Sequence, residues 1–106
     1  MSDAFSKLCA EVLQATKWIA SYEECRPHFQ RVLNYIEGHL SQRDEISKIL
    51  GEFVDGGGYS QISLVEFLMS SLKWHEIRVV AAARCAREGN MYWEIKHLLD
   101  VYDQVA

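Results

Sequence analysis

Apolar residues recur along this chain at intervals of three and four, and nowhere do they alternate over the length of a strand. That period belongs to helices that each bury one stripe of side chains. β-branched residues are thinly spread, and proline occurs once, at Pro27. The sequence therefore predicts an all-α protein.

The first helix is expected from about Asp3 to Ala20, with Phe5, Leu8, Cys9, Val12, Leu13 and Ile19 on one face. Ser2 or Asp3 can cap it by accepting first-turn amide protons. A second helix covers about Pro27 to Glu37, since proline suits a first helical turn. Ser21 and Glu24 form an alternative capping box that would start it earlier. Phe29, Val32, Leu33 and Ile36 make its stripe, and Gly38 is its expected stop.

A third helix is expected from about Gln42 to Val54, capped by Ser41, with Ile46, Ile49, Leu50, Phe53 and Val54 inward. It ends at Asp55-Gly56-Gly57-Gly58, which reads as the most flexible point of the chain. The fourth should begin near Ser63, where Ser63 and Glu66 read as a capping box. Leu64, Val65, Phe67, Leu68, Met69 and Leu72 then crowd nearly every side, which marks a central helix. The fifth spans about His75 to Arg87, and Ile77, Val80 and Ala81 to Ala83 offer a small-residue surface for close packing. The sixth runs from about Met91 to Gln104, capped by Asn90 and striped by Ile95, Leu98, Leu99 and Tyr102.

The reading is a compact bundle of about six helices, 1–106 forming a single helical domain. Short loops make neighbouring helices antiparallel hairpins. The last pair resembles the hairpin of an α-solenoid, although no 30–45-residue self-similarity supports a repeat array. A chain of 106 residues can bury one core without disulfides. No apolar run approaches the roughly 20 residues that span a bilayer, and the first residues lack the basic start and apolar stretch of a signal peptide. The expected location is the cytoplasm, without membrane association. Cys9, Cys25 and Cys85 are odd in number and unpaired by motif, so they read as packing thiols.

The formal net charge of −4 argues against a nucleic-acid binder, which normally carries a basic face. It suits a basic protein partner, because opposite fields steer association. His28, His39, His75 and His97 form no HxxxH pattern, and no CxxC occurs, so no metal site is expected. No GxSxG elbow is present. The triple glycine lacks the lysine and preceding strand of a phosphate loop. No catalytic residue and no cofactor are therefore assigned. Arg78, Arg84 and Arg87 make the fifth helix locally basic, and carboxylates of the sixth helix are their expected partners.

The stretch from Ile62 to Arg78 holds an apolar helix ending in Leu72-Lys73-Trp74, followed by His75-Glu76-Ile77-Arg78. It resembles a pattern in small all-α bacterial immunity proteins of contact-dependent and polymorphic toxin systems. There an apolar helix ending in Leu-[Lys/Arg]-Trp precedes a Glu-[Ile/Val]-Arg helix. The resemblance implies a non-enzymatic protein that binds a cognate toxin domain, often a nuclease, and occludes it. It transfers no functional residue, because the toxin-binding surfaces of such proteins vary.

On this reading the partner is a basic toxin domain. The expected contacts are carboxylates Asp55, Glu76, Asp100 and Asp103, with Tyr59, Trp74 and Trp93 as aromatic anchors. A different expectation is a helical adaptor or regulatory subunit, homodimeric through the apolar surface of the fourth helix. A third is a small enzyme whose site is assembled from distant Cys, His and carboxylates.

Overall fold

The computed structural model describes residues 3–18, 21–88 and 93–103. Of Tyr59, Trp93 and Asp103 it describes the backbone alone. The protein is all-α, with six helices and no strand among the described residues. In order these are α1 (Asp3–Thr16), α2 (Tyr22–Glu37), α3 (Arg43–Gly56), α4 (Tyr59–Leu72), α5 (His75–Glu88) and α6 (Trp93–Asp103), with a 3-10 turn Leu40–Gln42 before α3. The chain forms two compact units, residues 1–49 and 50–106, and the boundary falls inside α3.

In the first unit α1 packs on α2. Phe5, Cys9, Val12 and Thr16 recur on the buried face of α1. The helix ends four residues earlier than expected. There the Thr16 hydroxyl donates to the Val12 carbonyl at 2.9 Å, and Lys17 N–H reaches Gln14 O at 3.4 Å. Such back-bonding competes with continued helix. Ile19 and Ala20 lie outside the described residues.

Helix α2 takes the earlier of its two expected starts. Ser21 is its extended N-cap residue (φ −100°, ψ 129°), and Glu23 and Glu24 occupy the first turn. The Ser21 hydroxyl makes no cap bond, so the acidic first turn and the buried stripe set this start. Pro27 consequently sits inside the helix, exposed, and not at its opening. It removes one backbone donor. Burial of Cys25, Phe29, Val32, Leu33 and Ile36 on the other face offsets that loss. Gly38 stops the helix as expected, its N–H shared between the carbonyls of Asn34 and Tyr35.

Ser41 does not cap α3, because it lies within the 3-10 turn and α3 opens at Arg43. In the second unit α6 packs more extensively on α4 than on α5, so it is not confined to a hairpin with its sequence neighbour. Helix α4 begins at Tyr59, four residues before the expected Ser63 box. Its start is set by Gln61, whose Oε1 accepts the Gly58 N–H at 2.9 Å. Ile62, Leu64, Val65, Phe67, Leu68 and Met69 are all buried, as a central helix requires. This removes the apolar surface of α4 as a dimerisation face. Lys73 ends α4 in the left-handed region (φ 49°), its N–H bonded to Met69 O at 3.0 Å. Helix α6 is described from Trp93, and the expected cap Asn90, with Met91 and Gln104, lies outside the described residues.

Candidate protein-binding surfaces

The glycine segment is shorter and more tightly held than its composition suggests. Gly56 is the last residue of α3, and only Gly57 and Gly58 separate it from α4. Gly57 is buried, and a Cβ there would collide with the Phe53 carbonyl oxygen and Gln61 Oε1. Two arginines of α5 reach this turn. Arg84, 6% exposed, donates from Nη1 to Val54 O at 2.8 Å and to Gly57 O at 2.9 Å. Arg87 donates from Nη1 to Asp55 Oδ1 and from Nη2 to Asp55 O, each at 3.0 Å.

These contacts give Arg84 and Arg87 partners at the end of α3 that the expected pairing with α6 carboxylates does not include. The last carbonyls of a helix lack intrahelical partners and carry partial negative charge. The end of α3 thus attracts the guanidinium forks. Asp55, expected to face a partner, is exposed but already paired with Arg87.

At the other end of α5, Trp74 is 4% exposed and its carbonyl accepts the Tyr102 hydroxyl at 2.9 Å. Its indole belongs to the core, which corrects its expected role as an open aromatic anchor. Glu76, half-buried, lies close enough to Tyr102 to act on it electrostatically. The Tyr102 hydroxyl is held well above its ordinary pKa, first by burial and then by Glu76, with Arg78 opposing. Asp100 is exposed on α6 and acts on Glu66 of α4. Burial raises the Glu66 carboxyl above its usual range, His97 lowers it, and Asp100 raises it further.

At 1.5 Å per residue, Glu76 in the first turn of α5 and Arg87, which holds Asp55, stand about 16 Å apart along the axis. Tyr59 opens α4, Trp93 opens α6 and Asp103 closes it. Their side chains lie outside the described part of the structure.

Trp18 escaped the sequence reading. It is 85% exposed, far more than the other large exposed apolar side chains among the described residues, Leu40 at 54% and Val79 at 53%. The Lys17 ammonium lies 5.3 Å from its ring centroid. A signal was available. Continued at 100° per residue to Ala20, the expected helix sets Trp18 about 200° from Thr16, away from the apolar stripe.

Cys9 and Cys25 are buried and Cys85 is half-buried, all as free thiols. Burial pushes the Cys9 thiol up to about 12, which keeps it protonated and weakly nucleophilic at neutral pH. Among the described residues no group of three or more His, Cys, Asp or Glu is placed to hold a metal ion. No helix there is long and apolar enough to cross a membrane. No protein-family model, no curated protein and no solved structure matches the chain.

Proposed function

We propose that this chain is a non-enzymatic protein-binding module, an immunity protein that occludes a basic, nuclease-type toxin domain. The observation that carries the binding part is Trp18, a large aromatic side chain left 85% in water. Burying an apolar side chain of this size contributes on the order of 2 kcal/mol. Trp is also the residue type most enriched among interface hot spots. A partner pocket that takes Trp18 gains what folding left unused. The net charge of −4 favours a basic partner by steering the encounter. Asp100, exposed on α6, is a proposed electrostatic contact. The immunity reading rests on the resemblance of residues 62–78, which form the junction between α4 and α5.

The test is a pull-down with this protein as bait against the basic C-terminal domain of a large secreted protein encoded upstream. A one-to-one complex with loss of the domain's toxicity supports the proposal. Trp18→Ala should then weaken binding by about 2 kcal/mol, roughly thirtyfold. Wild-type affinity in that variant removes Trp18 from the interface. Absence of any complex removes the immunity reading.

A further inference from the structure

Asp55-Gly56 is the one place in the chain where an aspartate or asparagine precedes glycine. In such a pair no Cβ shields the glycine nitrogen from the carboxyl before it. Here the pair is exposed, closes α3 and is followed by Gly57 and Gly58. A Cβ built on Gly56 would meet nothing within 4 Å, so the surroundings of its amide are open. Against this openness stands one side chain of α5. Arg87 holds Asp55 Oδ1 with Nη1 and Asp55 O with Nη2, each at 3.0 Å. The second of these oxygens belongs to the same peptide unit as the Gly56 nitrogen. One guanidinium therefore grips both the carboxylate and the peptide beside it.

We propose that Asp55-Gly56 is a self-modification site, where aspartate converts to isoaspartate, and that Arg87 keeps the conversion slow. The Gly56 nitrogen attacks Cγ of Asp55 and forms the N–Cγ bond of a five-membered imide. One carboxylate oxygen leaves as water, taking the amide proton and one proton from solvent. Water then reopens the ring. Attack at Cγ restores aspartate. Attack at the main-chain carbonyl carbon breaks its bond to the Gly56 nitrogen, and the chain then continues through Cβ and Cγ. The ring demands a ψ far from the helical value of about −42°, so the last turn of α3 must open first. Opening is favoured by the run of glycines, which gain the most backbone freedom, and by position at a helix end. It is opposed by the Gly57 N–H on Phe53 O at 2.8 Å and by Arg87, which must release both reacting groups before the ring closes. The product carries one extra main-chain atom between Val54 O and Gly57 O, the two carbonyls that Arg84 clasps. Those bonds are set for the shorter chain, so conversion loosens the α3–α4 junction. This inference is independent of Trp18 and of any toxin partner.

Peptide mapping of protein aged near neutral pH tests it, because isoaspartate changes the retention of a peptide without changing its mass. Protein aged in urea gives the unguarded rate, and native protein should convert roughly tenfold more slowly. Arg87→Ala should raise the native rate about fivefold and leave the rate in urea unchanged. Should that variant fold poorly by circular dichroism, Arg87→Lys replaces it, with a smaller rise because an ammonium is not a planar fork. Gly56→Ala should suppress conversion in both states. Ile36→Val lowers stability through a buried residue of the other compact unit and should leave the native rate at the wild-type value. Equal native rates with and without Arg87, or equal acceleration by Ile36→Val, overturns the guard. Absence of isoaspartate in urea overturns the site.

Discussion

Arg84 is a cation held almost wholly out of water, where a charge is stable only when hydrogen-bonded to groups of opposite polarity. It finds them in two backbone carbonyls, Val54 O and Gly57 O, at the point where α3 gives way to α4. Breaking such a buried charged contact leaves carbonyl oxygens without a donor. Arg84→Met should destabilise the fold by about 3 kcal/mol, read from the midpoint of urea unfolding. Arg84→Lys should recover only part of this, because an ammonium cannot reproduce a planar fork. A loss under about 1 kcal/mol in Arg84→Met would mean that water satisfies the carbonyls and that the clamp is not structural. The role of Arg84 was half legible. Its periodicity allowed a place on the inward side of α5, but charge alone directed it to other side chains. Carbonyls have no signature in a sequence, so the real partners could not be read there.

The α3–α4 turn shows how adjacent glycines differ within one element. Gly56 ends a helix with open space where a Cβ would stand, whereas Gly57 is pressed against Phe53 O. Gly56→Ala should stabilise by about 0.5 kcal/mol, because it narrows the unfolded ensemble without strain. Gly57→Ala should destabilise by more than about 1 kcal/mol, because backbone must shift to admit the methyl. Thermal melts of the two variants check this, and equal shifts would contradict the close approach at Gly57.

Helix identity is legible because each stripe repeats over about two turns or more. Helix starts were read less well, since capping side chains occur where no helix begins. Ser63 and Glu66 have the spacing of a capping box, but the apolar run already extends back to Ile62, and Gln61 sets the start. Pro27 misled for a related reason. Preference for a first turn is weaker than the combined burial of Cys25 and Phe29 around it.

At the scale of the whole molecule, stability depends on pH through groups that folding perturbs. The Glu66 carboxyl is raised above its unfolded value, chiefly by burial. Folding therefore favours its protonated form, a contribution fully present below the unfolded pKa of about 4.3. That contribution is lost as pH rises through the higher folded value. Glu66→Gln keeps the neutral form at every pH. Its unfolding free energy should match wild type near pH 4 and exceed it at pH 7, in paired denaturant titrations. A wild-type response at both pH values would show that His97 compensates the burial of Glu66 in full.

The candidate binding surface was the least legible part of the protein. Trp74 reads as an interface aromatic because it sits at a helix end, but helix ends in this chain close a core. Trp18 differs in lying just past the end of α1, and only the fold shows that it stands 85% exposed there.

The clamp on the glycine turn also orders events in time. Gly57 precedes Arg84 by 27 residues and Val54 precedes it by 30. A ribosome adding roughly 5–20 residues per second makes the turn one to several seconds before it makes the arginine. Through that interval the end of α3 lacks the guanidinium that finishes it. The nascent chain can settle its N-terminal helices early, but the join between α3 and α4 must wait for synthesis to reach α5.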